Sequence, residues 1–156
     1  MTSKPPKVLV ANRGEIAARV LSAARKLGMP TVAIFAAEDK SAGYHNKADE
    51  ALPACAESDR TPVDAYLNAD RIVKIAREQV VDLIHPGYGF LSENGGFAEQ
   101  VRAADMKFVG PPTEVIKKMG DKVAARKFAQ SLAIPTVPRT EDALKDVEEA
   151  YAFAER

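Results

Sequence analysis

Short β-rich runs alternate with amphipathic helical stretches along this chain, and that order restricts its fold more than any other feature. Lys7–Asn12 (Lys-Val-Leu-Val-Ala-Asn) reads as a strand, after which Gly14 lets the chain turn. Ile16, Val20, Leu21, Ala24 and Leu27 recur at helical spacing over Glu15–Leu27, with Gly28 and Pro30 as stop signals. Thr31–Ala36 is a second strand. A helix over Ala69–Gln79, with Ile72, Val73 and Ala76 on one face, leads into a buried strand at Val80–Ile84. A helix marked by Phe97, Ala98, Val101 and Ala104 leads into a strand at Met106–Val109. Strands that alternate with helices form βαβ units, because parallel neighbours need a crossover between them. The expected fold is therefore α/β with a mainly parallel sheet.

Residues 37–62 are less regular, with a short helical turn expected near Tyr44–Ala48 and an edge strand near Ala51. Beyond Gly110, Pro111 and Pro112 come two helices, Thr113–Lys118 and Lys122–Leu132, separated by Gly120 and Asp121. Ile134–Pro138 reads as an extended connection out of the first domain. A final helix is expected from Ala143 to the end, with Asp142 as its N-cap. It meets no Gly or Pro stop, which suggests a sequence that continues in a longer relative.

The 156 residues give room for one domain and the start of a second. With 46% hydrophobic and 28% charged residues, the chain can bury a core and is not a disordered one. Lys+Arg and Asp+Glu both number 22, so the basic field that nucleic-acid or anionic-membrane binding needs is missing. Cys55 is the one cysteine, and His45 and His85 stand 40 positions apart, so no zinc cluster is expected. The polar N-terminus does not resemble a signal peptide, and the longest apolar run, Val32–Ala37, is far too short to span a membrane. A soluble, cytoplasmic protein with neither nucleic-acid nor membrane partners is expected.

Three turns offer chemistry. At Asn12-Arg13-Gly14-Glu15 only one glycine stands where a dinucleotide loop has three. Glu15 also places negative charge where a pyrophosphate would sit, so NAD and FAD are not expected. Glu15 instead favours the helix start, and Arg13 makes a local ion pair or an interface contact. The string His85–Asn94 (His-Pro-Gly-Tyr-Gly-Phe-Leu-Ser-Glu-Asn) follows a buried strand, so it belongs at the carboxyl edge of the sheet, where α/β proteins bind ligands. Gly87 and Gly89 permit positive φ and leave the backbone uncovered, while Tyr88 supplies a flat face and a hydroxyl. Ser92, Glu93 and Asn94 can cap the next helix. A tight turn serving geometry alone is the alternative. At Met119–Lys122, Asp121 can cap a helix, and Lys122 is either a point charge for a phosphate or a solvated lysine. Neither a Gly-x-Ser-x-Gly elbow nor a Walker loop is present.

Four stretches together carry a family resemblance: Lys7–Ala17, His85–Asn94, Phe108–Pro111 (Phe-Val-Gly-Pro) and Met119–Lys122 (Met-Gly-Asp-Lys). Over about residues 7–138 the chain resembles the N-terminal part of biotin carboxylase, the ATP-dependent component of acetyl-CoA, propionyl-CoA and pyruvate carboxylases. Thr61–Leu67 and Val81–His85 look closest to the pyruvate carboxylase subfamily. The resemblance implies a tail over 1–6 and a Rossmann-like, three-layer, pre-ATP-grasp domain over 7–112. A helical linker over 113–138 and the start of an ATP-grasp lid domain over 139–156 would follow.

In the full-length family, ATP, Mg2+ and bicarbonate serve to carboxylate biotin held on a carrier. By the same resemblance Lys122 contacts the nucleotide, and His85, Tyr88, Gly89 and Glu93 line the biotin side of the cleft. Arg19 falls in a region used for dimer contact. Implied partners are the remainder of the biotin carboxylase and the biotin carboxyl carrier domain, with a homodimer as a further option. The family's glycine-rich lid loop, metal-binding glutamates, bicarbonate-binding residues and catalytic base would lie beyond Arg156. No catalytic residue or metal ligand is therefore assigned here, tight cofactor binding is not expected, and the chain alone should not turn over ATP. Arg139 stands where the family has glycine. Two other readings stay open: a non-catalytic docking or dimerisation module, and the pre-domain of another ATP-grasp ligase.

Overall fold

The computed structural model describes residues 4–55, 59–136 and 145–155. The chain divides into two compact units, Met1–Thr113 and Glu114–Arg156.

The first unit is built on five strands: β1 (Val8–Val10), β2 (Thr31–Phe35), β3 (Glu50–Pro53), β4 (Leu83–His85) and β5 (Lys107–Phe108). They lie in the order β3-β2-β1-β4-β5, and each pairing is parallel. The inner strands are apolar without alternation, and Val8, Leu9, Val10, Val32, Ala33, Ile34 and Ile84 are all buried. That pattern belongs to a parallel sheet covered on both faces. Helix α1 (Gly14–Lys26) sets Ala17 and Leu21 against Val10 and Ala33, with the Tyr44 ring in the same cluster. Helices α3 (Ala69–Glu78) and α4 (Gly95–Ala103), which pack on one another, bury Ile72, Ile75, Ala76, Phe97 and Val101. Phe97 meets Phe108 of β5 edge-on, with ring centroids 5.9 Å apart. The α/β, parallel-sheet expectation therefore holds, including an edge strand through Ala51.

Topology then places the site. From β1 the chain builds outward through β2 and β3, then returns to the other side of β1 as β4. Val10 faces His85 across that seam, and the Ala11 amide donates to the His85 carbonyl at 2.9 Å. Loops that leave β1 and β4 at their carboxyl ends consequently diverge above a crevice.

Two local features differ from the expectation. Val80 does not begin a strand. Its amide and that of Val81 bond to the carbonyls of Arg77 and Ala76, so both residues finish α3, and Val80 takes φ 52°. Pairing with β1 starts only where the Asp82 and Leu83 amides reach the Lys7 carbonyl. In addition, the stretch after residue 60 forms a short helix α2 (Pro62–Leu67). Thr61 and Asp64 cap it reciprocally, with the Arg60 and Thr61 amides both donating to Asp64 Oδ2 at 2.8 Å, and Pro62 occupies a first-turn position where its missing N–H costs nothing.

The second unit carries α5 (Thr113–Gly120, beginning on the last residue of the first unit), α6 (Lys122–Ser131) and α7 (Val147–Ala154). Asp121 Oδ1 accepts the Val123 and Ala124 amides at 2.8 and 2.9 Å, which caps α6 as expected. Helix α7 starts at Val147 with Asp146 as its cap, because Asp146 Oδ1 accepts the Glu149 amide at 2.9 Å. The anticipated cap Asp142 and start Ala143, like Val137, Pro138 and Arg139 of the connection, lie outside the described residues. Among the described residues no helix is long and apolar enough to cross a membrane.

Candidate functional site

The site starts from one buried polar residue. Asn12 lies two residues past the end of β1 at the seam, almost fully excluded from solvent, and a carboxamide there must find partners for each of its hydrogens. Its Nδ2 donates to the Pro86 carbonyl at 2.7 Å and to the Tyr88 carbonyl at 2.8 Å, and its Oδ1 accepts the Arg13 amide at 2.9 Å. One side chain thus closes the loop after β4 onto the turn after β1. The loop tolerates this because Gly87 (φ 68°) and Gly89 (φ 65°) are left-handed. His85 supports it from within the strand: Nδ1 accepts the Gly87 amide at 3.0 Å, which fixes the neutral tautomer with its proton on Nε2. Half-burial pushes the His85 imidazole below its ordinary range.

Over the clamp, Tyr88 stands 62% exposed. Its hydroxyl donates to Glu15 Oε1 in the first turn of α1 at 2.8 Å, and that bond raises the phenol above its ordinary range. Asn12, Arg13, Glu15, Ile16, Tyr88, Gly89 and Phe90 line a depression of about 270 Å³. Its walls offer an aromatic face, a bare glycine backbone, a carboxylate and the Arg13 guanidinium, which is paired with Asp39.

A second network braces the rim. Arg13 reaches Asp39 with two parallel bonds, Nε to Oδ2 at 2.8 Å and Nη2 to Oδ1 at 2.6 Å. Asp39 is only 7% exposed and also accepts the Tyr66 hydroxyl at 2.6 Å. Tyr66 Oη in turn accepts the Ala36 amide at 2.9 Å and lies 2.9 Å from Tyr44 Oη, which donates to the Ile34 carbonyl at 2.9 Å. With the Tyr66 hydrogen committed to Asp39, the hydrogen between the phenols comes from Tyr44, shared with Ile34. The Arg13 hydrogen bonds, with Tyr66 adding to them, hold the Asp39 carboxyl below its usual range. Burial pushes Tyr44 up to about 12 and Tyr66 higher still. Phe90, itself at φ 44°, stacks on Tyr66 with centroids 5.3 Å apart, so the brace reaches the residue beside Gly89.

Of the residues singled out from sequence, Tyr88 and Gly89 line the depression. His85 lies behind it in β4, and Glu93 is exposed on the turn before α4, where Asn94 takes the capping role by accepting the Phe97 amide at 2.9 Å. Arg19 is exposed on α1, and Lys122 is exposed on the first residue of α6 in the second unit. Arg13 forms the expected local ion pair. Sequence reasoning did not anticipate Asn12 as the clamp, nor Asp39 and Tyr66. A polar residue closing an apolar strand was a usable sign for Asn12; nothing local pointed to Asp39. Among the described residues no three His, Cys, Asp or Glu side chains converge to hold a metal ion.

With this geometry in hand, the likenesses to known proteins are informative. The sequence model of the family described as "Biotin carboxylase, N-terminal domain" matches residues 4–116. Pyruvate carboxylase of Aspergillus terreus is 52% identical over 149 residues, covering 96% of this chain and 12% of that protein. The mitochondrial pyruvate carboxylase of Homo sapiens is 47% identical over 148 residues, 95% of this chain and 12% of that protein. Among solved structures, the biotin carboxylase domain dimer of Hydrogenobacter thermophilus 2-oxoglutarate carboxylase, in complex with MgADP, ADP and bicarbonate, superposes with a TM-score of 0.87 at 46% identity. That match covers 96% of this chain and 32% of that one. The chain thus spans a small part of each relative's length. A parallel sheet with this strand order, the glycine-tyrosine-glycine rim at its seam and a family match over most of the first unit agree: this chain belongs to the family of biotin carboxylase N-terminal domains.

Proposed function

We propose that the chain supplies one wall of the biotin-carboxylating cleft of a pyruvate carboxylase-like enzyme, whose whole form uses ATP, Mg2+ and bicarbonate to carboxylate biotin on a carrier domain. The observation that carries this reading is the rim above Asn12, where an exposed tyrosine ring and bare glycine backbone stand at the reversal point of a parallel sheet. In this reading Tyr88 and Gly89 meet the biotin side of the substrate. His85 holds the turn beneath them, and Glu93 sits at the outer end of the same loop. Lys122 offers its ammonium to the nucleotide, and Asp121 caps α6 so that Lys122 begins the helix. Residues 113–138 form the helical linker and 139–156 the start of the ATP-grasp lid.

Phosphoryl transfer from ATP needs metal and several cationic groups around the transferred phosphoryl. The described residues gather no metal-binding cluster, so no step is assigned to them through magnesium. The partners proposed are the remaining part of the biotin carboxylase, the carrier domain and a second copy of the enzyme, the last approached through the α1 surface that carries Arg19. The reading places the chain in the cytoplasm, and an unpaired Cys55 suits such a reducing compartment.

The test is complementation. Bicarbonate- and biotin-dependent ADP release is measured for the purified chain, for a separately expressed carboxylase lacking the corresponding segment, and for the two mixed. Activity should come only from the mixture and should fall when Tyr88 is replaced by Ala. Turnover by the chain alone, or a mixture as inactive as its parts, counts against the proposal.

A further inference from the structure

Several of the polar side chains that line the depression at the sheet seam have hydrogens used inside the protein. Both hydrogens of Asn12 Nδ2 go to the Pro86 and Tyr88 carbonyls. Arg13 directs Nε and Nη2 to Asp39. The one hydrogen of the Tyr88 hydroxyl goes to Glu15 Oε1. What the Glu15–Tyr88 pair leaves uncommitted is a set of lone pairs: the second carboxylate oxygen of Glu15 and the unshared pairs of Tyr88 Oη. A carboxylate accepts only, and a phenol whose hydrogen is committed can do no more than accept.

The pair is also held in register from both sides. Asn12 fixes the backbone of Tyr88 through its carbonyl, and left-handed Gly14 (φ 59°) turns the chain so that Glu15 enters the first turn of α1 beside it. A tyrosine that is 62% exposed would otherwise sample several rotamers, so a bond to a side chain of another element has a clear effect: it restricts where the ring stands.

We propose that Glu15 is a positioning residue. By taking the phenol hydrogen of Tyr88 it fixes the ring at the rim, and it leaves the Glu15–Tyr88 edge of that rim as a hydrogen-bond acceptor that selects a neutral ring bringing N–H donors, a cyclic urea. The choice of ligand class rests on the proposed biotin cleft, since the ureido ring of biotin carries such N–H groups; the positioning of Tyr88 does not.

The experiment uses the whole chain with ring-13C-labelled tyrosine, the Tyr88 signals being assigned by their loss in Tyr88→Phe. Both residues are exposed, so Glu15→Gln and Glu15→Ala should fold, which amide spectra check. In the original chain the Tyr88 ring should give NOEs to the Glu15 methylenes. Those NOEs should be lost in Glu15→Ala, and the phenol should ionise at lower pH in both variants, since its raised value comes from the bond to Glu15. Titration with biotin and 2-imidazolidinone should move the Tyr88 signals. N,N′-dimethyl-2-imidazolidinone should not. Biotin binding should weaken by about tenfold in Glu15→Ala, as befits one charge-supported hydrogen-bonded arrangement. Unchanged NOEs and phenol ionisation in the variants overturn the positioning role. If those change but the dimethylated urea binds as well as the parent, donor selection is overturned. If they change and neither biotin nor its cyclic urea moves Tyr88, the positioning role stands, and both the selectivity and the biotin-cleft reading fall.

Discussion

The Gly87 backbone runs so close to the Asn12 carboxamide that a Cβ on Gly87 would stand 2.6 Å from Asn12 Nδ2 and 2.9 Å from Cγ. Gly89, two residues on, has the same left-handed φ but nothing within 4 Å of its Cβ position. The two glycines therefore serve different needs: close approach at the first, backbone conformation alone at the second.

Gly87→Ala should cost about 2–4 kcal/mol, the sum of left-handed strain and a clash with an anchored side chain. Gly89→Ala should cost about 1–2 kcal/mol from strain alone, and Gly89→Val more than Tyr88→Phe, which leaves the backbone untouched. Urea unfolding at neutral pH measures all four. Equal costs at the two glycines would contradict the clamp.

The Asp39 brace should show in the acid limb of stability. Its carboxyl is held low in the folded chain, so the folded state releases its proton more readily than the unfolded one. The stabilisation is complete above the ordinary carboxylate value of 3.8 and is lost as pH falls through the depressed folded value. Asp39→Asn should flatten that limb. Tyr66→Phe, which strips a donor from Asp39 and an acceptor from the Ala36 amide, should cost about 1.5–3 kcal/mol at neutral pH. Chemical unfolding at a series of pH values tests both; an acid limb unchanged in Asp39→Asn would remove the brace from the account.

His85 should act at higher pH and in the same direction. Burial lowers its folded value, so the stability it contributes is present above the ordinary value of 6.5 and fades as pH falls through the lowered one. Protonation also removes the Nδ1 acceptor from the Gly87 amide. His85→Gln should lessen the stability change across this window, and an NMR titration of the ring should give a value below that of the unfolded chain. A His85 value above 6.5 would reverse the assignment.

Val80 offers a gain. It is β-branched, left-handed at φ 52° and 81% exposed, so its side chain contributes strain and little packing. Val80→Gly should stabilise the chain by about 1 kcal/mol, read as a higher urea midpoint at unchanged slope. A lower midpoint would mean that Val80 packs in a way its exposure does not reveal.

Local chemistry made much of this chain legible before any coordinates. The periodicity of α1, the glycines at 14, 28, 87 and 89 and the caps Asn94 and Asp121 act within a few residues of sequence, so their types predict their conformations. The β-rich runs at Lys7–Asn12 and Thr31–Ala36 similarly foretold β1 and β2. Val80 misled because an apolar pair beside a helix looks like strand, whereas its amide hydrogen bonds belong to the helix end. Only the tertiary structure could bring Asn12 to Pro86 and Tyr88, Arg13 to Asp39 and Glu15 to Tyr88, across separations of 74, 76, 26 and 73 positions. Those contacts depend on strand order and register, which set where distant loops meet, and a buried carboxamide or carboxylate gains its partners only once the sheet has placed them.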